Sequence, residues 1–84
     1  MMYQQVNEPI EVLAAFRKEA TEPMTFKWGN RYYSVNKVNL VHTEHDGREK
    51  IYYFSVSNQD TSYRLSFRTE SLRWMLEEMC EASA

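Results

Sequence analysis

Apolar residues at every second position, in one segment after another, constrain this chain more than any other feature of its sequence. Met24, Phe26 and Trp28 alternate with Thr25 and Lys27, and Tyr63, Leu65 and Phe67 alternate with Arg64, Ser66 and Arg68. Successive side chains of an extended strand point to opposite faces, so such runs bury one face and leave the other wet. A helix would scatter the same residues around its axis. The chain is therefore expected to be mainly β and built from antiparallel hairpins.

Turn chemistry divides the runs. Gly29-Asn30 follows Trp28, Asp46-Gly47 lies within His45-Asp46-Gly47-Arg48, and Asn58-Gln59-Asp60-Thr61 precedes the cleanest strand. Gly-Asn and Asp-Gly tolerate the positive φ that tight hairpins need. Lys18–Pro23 is polar, ends in proline and is expected to be a connection. Over Ile10–Arg17, Ile10, Val12, Ala14 and Phe16 share a face, but Leu13 and Ala15 oppose them, so strand and helix both stay open. After the first turn the phase breaks: Tyr33 and Val35 share one face, Val38 and Leu40 the other. A regular strand cannot bury both sets together. A bulge or sharp bend is expected near Asn36-Lys37, where the strand can change partners. In Glu49–Ser57, Tyr52, Phe54 and Val56 face one way, Ile51 and Tyr53 the other.

The period changes at the end of the chain. Leu72, Met75, Leu76, Met79 and Cys80 follow the i, i+3, i+4, i+7, i+8 spacing of one helix face. Thr69 or Ser71 is placed to cap such a helix, and Glu70 suits its first turn. The alternative is a closing strand with Trp74 and Leu76 on one face. The expected fold is thus mainly β (α+β): a five-stranded antiparallel, barrel-like sheet with a C-terminal helix over about 71–80, or a closing strand in its place.

Eighty-four residues have room for one core, so 1–84 is read as a single domain, with 1–8 flexible and 81–84 frayed. Trp28, Trp74, six tyrosines and four phenylalanines enrich that core; each aromatic can bury roughly 150–250 Å². Trp28, Tyr33, Phe54, Leu65 and Phe67 are expected to meet in it. The single cysteine, Cys80, excludes an intramolecular disulfide and a cysteine-based zinc site, and suits a reducing compartment. Met1-Met2-Tyr3-Gln4-Gln5 has neither the basic nor the apolar region of a secretory signal. No apolar run approaches the ~20 residues that span a bilayer. A cytoplasmic protein without a membrane partner is expected.

The segments Ile10/Val12, Phe26/Trp28, Arg31, Tyr33/Val35, Tyr53-Phe54/Val56, Leu65/Phe67 and Trp74/Leu76 occur in an order that resembles a family of small uncharacterised bacterial domains. Their pattern runs I-x-V, F-x-W, a turn with arginine, Y-x-V, Y-F-x-V, L-x-F/Y and a terminal W-x-L, and the match covers most of the chain. The resemblance implies a small β-rich fold with no known activity and no catalytic motif to transfer. It also implies an association with DNA-repair polymerases, to which such domains are appended as tails, and a terminal W-x-L that is a strand.

Catalytic chemistry finds little purchase. His42-Thr43-Glu44-His45-Asp46 is the one cluster of metal-ligand types, but on a strand His42 and His45 point to opposite faces. No serine sits in a G-x-S-x-G turn, and Cys80 lies on an apolar stripe, where an inert packed thiol is expected. Glu77 and Glu78 are adjacent and diverge on a helix, so they form no acid–base pair. Gly29 and Gly47 stand in separate turns and build no phosphate loop. A non-enzyme without cofactor or metal is expected.

Charge points instead to a surface. Residues 1–22 carry −2, residues 23–76 carry +3 and residues 77–84 carry −3. A +3 middle is far short of a duplex-DNA footprint. Even so, Lys27, Arg31, Lys37, Lys50, Arg64 and Arg68 sit on strands beside Tyr32, Ile51 and Tyr53. Such a mixture engages protein partners, whose hot spots favour Tyr and Arg, or single-stranded nucleic acid, whose bases stack on aromatics. The plainer alternative is that the arginines only keep the outer face wet. The candidate surface is Lys27, Arg31, Tyr32, Lys50, Tyr53, Arg64 and Arg68. The expected function is a binding module for a protein partner, with weak single-stranded nucleic-acid binding as the alternative.

Overall fold

The computed structural model describes residues 2–59 and 61–81, and these form seven strands in one antiparallel sheet. The strands are β1 (Met2–Phe16), β2 (Thr21–Trp28), β3 (Arg31–Ser34), β4 (Lys37–Asp46), β5 (Glu49–Asn58), β6 (Thr61–Arg68) and β7 (Arg73–Glu81). Their order is β3-β2-β1-β7-β6-β5-β4. Chain neighbours are sheet neighbours everywhere except between β3 and β4, which form the two outer edges. The first and last strands pair in the middle. The sheet is a meander left open between β3 and β4, so the expected five-stranded barrel is corrected both in strand number and in closure.

The open seam follows from the phase break at Asn36-Lys37. The chain leaves β2 at Ser34 and takes β5 as its partner from Lys37 onward. With only four residues, β3 is too short to pair along the ten of β4. The end of β3 and the connection after it are instead tied to the end of β5. There Asn36 N donates to Ser57 O at 3.0 Å, and Asn58 Nδ2 donates to Ser34 O at 3.0 Å.

Residues 2–8, expected to be flexible, instead open the longest strand. Met2–Ile10 pairs with β7 and Glu11–Phe16 with β2, so one strand serves two ladders. The β7 ladder slips between Gln5 and Glu8, where Asn7 takes φ 52°. Asparagine adopts that region more readily than most residues. Lys18–Pro23 is not wholly a connection: β2 starts at Thr21, and buried Pro23 stands opposite Ala14 at another slip in the ladder. The loops after β2 and β4 have two residues each, with Gly29 at φ 61° and Gly47 at φ 63° in the first loop position. The second therefore turns on Gly47-Arg48, one residue later than expected.

The C-terminal helix is replaced by β7, and no helix is present among the described residues. No segment there is a helix long and apolar enough to cross a membrane. A bulge explains why the spacing resembled a helix. Leu76 pairs with Leu65 and Glu78 with Arg64, leaving Glu77 as an extra residue. That insertion changes the interval between same-face residues from two to three at one point, so Leu76 and Met79 both reach the core. Leu72, the first residue of the supposed stripe, is exposed in the β6–β7 turn at φ 59°. Of 81–84, Glu81 ends β7 and the rest lie outside the described residues.

One face of the sheet, here the inner face, carries the core. Phe26, Phe54, Val56, Tyr63, Leu65, Phe67 and Leu76 are buried together. Trp28 and Tyr33 are half-buried against them, as are Tyr52 and Trp74. The sheet curls so that β2 and β3 reach β6: Phe26 meets Tyr63 edge-on at 5.1 Å and stacks on Tyr33 at 5.2 Å. Phe67 and Trp74, from adjoining strands, stack at 4.6 Å. The opposite, outer face holds the alternate residues of the same strands.

Candidate binding surface

On the outer face, the β2–β3 hairpin sets Lys27 directly opposite Tyr32, with the ammonium 5.7 Å from the ring centroid. Tyr32 is 73% exposed. Glu11 of β1 stands on the other side of Lys27. Arg31 pairs with Trp28 at the tip of this hairpin.

A second pair forms on β5 and β6. Ser55 stands opposite Arg64 and Ser66 opposite Tyr53, so Arg64 and Tyr53 are diagonal neighbours. The Arg64 guanidinium lies over the Tyr53 ring, 4.7 Å from its centroid. From β4, His42 stands opposite Tyr53, with ring centroids 6.1 Å apart, and its Nε2 is 3.0 Å from Glu44 Oε2. Glu78 stands across from Arg64 on β7 and accepts a 3.0 Å hydrogen bond from Gln5 Nε2. Among the described residues no carboxylate lies within ion-pair distance of Arg64. This cation–π contact holds the guanidinium against the ring.

Arg68 belongs elsewhere. Its Nη1 donates to Glu49 Oε1 at 2.8 Å and lies 3.6 Å from Asp46. The other Glu49 oxygen accepts from the backbone N–H of Glu70 and of Ser71, at 3.2 and 3.1 Å, and from the Ser71 hydroxyl. The hydrogen bond from Arg68, followed by that from the Ser71 backbone, holds the Glu49 carboxyl below its ordinary pKa. Arg68 thus anchors the β6–β7 turn to the start of β5. Its charge is therefore already paired with Glu49 and Asp46.

Lys50 is also displaced, its ammonium lying 4.9 Å over Tyr52, an inner-face residue. Ile51 is on the outer face yet only 4% exposed, between Glu44 and Arg68 in the two ladders. The seven candidates therefore divide into two outer-face pairs, Lys27/Tyr32 and Tyr53/Arg64, with Arg31, Lys50 and Arg68 apart. Along the sheet, three strand spacings separate β2 from β6, about 14 Å at ~4.8 Å each.

Six residues outside the sequence-based set lie beside the Tyr53/Arg64 pair. Tyr3, Asn39, Ser55, Ser62, Arg64 and Glu78 line one shallow depression, and His42 flanks Tyr53. A flexible 1–8 and a helical 71–80 give Tyr3 and Glu78 no place on this face, whereas β1 and β7 set both beside Arg64. His42 was legible by alternation from Leu40. His42 and His45 stand opposite Tyr53 and Lys50, on alternate faces of β4, and no group of three or more His, Cys, Asp or Glu among the described residues is arranged to hold a metal ion. Comparison of the chain with protein-family models, curated proteins and solved structures finds no match.

Proposed function

We propose that this domain is a non-enzymatic binding module whose outer face, centred on Arg64 and Tyr53, engages an acidic segment of a protein partner. The observation that carries this reading is the Arg64 guanidinium lying 4.7 Å over Tyr53 with no carboxylate paired to it among the described residues. Held against the ring, the guanidinium has less freedom to lose on binding, and its N–H fork matches a carboxylate. Arginine and tyrosine are also the side chains that dominate interface energetics. The buried, unpaired Cys80 thiol fits a reducing, cytoplasmic setting.

The second reading, single-stranded nucleic-acid binding, draws on the same cation–aromatic pairs and on the resemblance to domains appended to DNA-repair polymerases. Glu44 and Glu78 flank the Tyr53/Arg64 pair, and their charges oppose a phosphate backbone. That favours a protein ligand, which can offer donors to the glutamates as well as a carboxylate to Arg64.

Amide chemical-shift titration separates the two. An extended peptide with alternating Glu and Tyr should perturb His42, Tyr53 and Arg64, and Arg64→Glu should abolish the response. Tight oligo-dT binding that falls steeply between two salt concentrations would replace the protein reading with the nucleic-acid one. Silence of these residues toward both probes would remove this face from consideration.

A further inference from the structure

Strand β4 has a neighbour on one side only. Its ladder is with β5, and β3 at the opposite end of the sheet order forms no ladder with it. The outward N–H and C=O groups of a ten-residue strand are therefore unpaired by any ladder, and its central side chains are open, Leu40 at 61% and Val41 at 47% exposure. An edge of this length is a template for another strand. Its flanks are charged, basic at Lys37 and acidic at Glu44 and Asp46, while Leu40-Val41 between them is apolar.

We infer that the partner of this edge is a second copy of β4, paired antiparallel about a two-fold axis at Val41. The charge order requires the antiparallel sense, because Lys37 opens the strand while Glu44 and Asp46 lie at its far end. The bulge then sets the register. The β5 ladder slips between Val38 and Leu40, so Asn39 is the extra residue. Counting outward from Val41 with Asn39 omitted, Leu40 opposes His42 of the second copy, Val38 opposes its Thr43, and Lys37 opposes its Glu44.

Side-chain direction is consistent with every one of these pairs. Lys37 and Glu44 stand across from Ser57 and Ile51, so both are on the outer face. Leu40 and His42 stand across from Ser55 and Tyr53, also on the outer face, while Val38 and Thr43 stand across from Val56 and Tyr52 on the inner face. A two-fold axis perpendicular to the sheet joins outer face to outer face, as direct antiparallel pairing requires. Neighbouring registers are worse. An axis at His42 sets Leu40 against Glu44, and one at Leu40 sets Lys37 against His42. The Val41 register places valine on valine at the axis and forms the Lys–Glu pair twice. The resulting dimer carries one continuous sheet and sets two Tyr53/Arg64 patches on the same side of it. This rests on the strand edge alone and stands whether or not those patches bind an acidic peptide.

Sedimentation velocity over a range of protein concentrations tests the proposal, with circular dichroism to verify that each exposed-site variant folds. The parent chain should pass from monomer to dimer as concentration rises. Lys37→Glu and Glu44→Lys should each weaken the dimer about tenfold, since each turns two attractive cross-strand pairs into repulsive ones. The double change Lys37→Glu/Glu44→Lys should restore dimerisation, and so should mixing the two single variants in equal amounts. Hydrogen exchange should show protection rising with concentration at alternate amides between Val38 and Glu44. A chain that stays monomeric at millimolar concentration overturns the inference. So does a dimer indifferent to the single substitutions, not rescued by the charge swap, or formed without protection of β4.

Discussion

Trp28 Nε1 donates a 2.8 Å hydrogen bond to Oε1 of Glu8, and the two residues belong to different ladders of the same curled sheet. Trp28 ends β2, which pairs with Glu11–Phe16, whereas Glu8 lies in the part of β1 that pairs with β7. The bond therefore spans the place where β1 changes partners, next to the slip at Asn7. Glu8→Ala should destabilise the fold by about 1 kcal/mol, the usual net value of an intramolecular hydrogen bond. Trp28→Phe should cost more, because part of the ring packing is lost with the bond. Urea denaturation of both single variants and the double variant closes a mutant cycle. Strictly additive costs would show that the two side chains are not coupled.

Phe54 has no exposed surface and stacks on Trp74 at 5.6 Å, in the middle of the buried cluster. Its replacement by alanine should cost roughly 3–5 kcal/mol, a large part of the total stability of a small domain. A chemical-denaturation midpoint that hardly moves would mean that the core collapses around the gap or lies elsewhere.

Legibility followed the period. Phe26/Trp28, Phe54/Val56 and Leu65/Phe67 alternate without interruption, so β2, β5 and β6 and their buried faces could be read directly. The phase break between Val35 and Val38 was equally informative, since it marked the partner change that leaves the sheet open. What misled was the single extra residue at Glu77, which gave Leu76 and Met79 a helical interval inside a strand. The W-x-L resemblance had pointed to a strand at that place, and β7 is one. Arg64 and Arg68 looked equivalent because both alternate off the same strand. Their difference depends on Glu49, nineteen positions from Arg68 in sequence and brought to it by the β5–β6 register. No local pattern carries that information.

The Glu49 network predicts a pH dependence. The Arg68 hydrogen bond lowers the folded-state pKa of Glu49 below its ordinary value of 4.5. A lowered carboxyl pKa adds stability that is complete above the unfolded value and is lost as pH falls through the folded one. Thermal midpoints measured between pH 7 and pH 2 should therefore drop below about pH 4.5 in the parent chain. Glu49→Gln should begin lower and show a shallower decline over that window. An unchanged acid limb would assign the pH dependence to other carboxyls.

The two arginines of β6 should separate under charge reversal. Arg64 lies over Tyr53 without a paired carboxylate among the described residues, so Arg64→Glu should shift stability by no more than about 0.5 kcal/mol. Arg68→Glu instead sets a third carboxylate against Glu49 and Asp46 and removes the donor that holds the Glu49 side chain against the β6–β7 turn. It should lower the denaturation midpoint clearly, and amide exchange should quicken first at Thr69, Glu70 and Ser71. Ligand effects should run the other way: an acidic peptide should lose its affinity for Arg64→Glu and keep most of it for Arg68→Lys, which retains the charge. Equal destabilisation by the two reversals would mean that Arg64 is as structural as Arg68, and the outer face of β5 and β6 would then have no cation left to offer a partner.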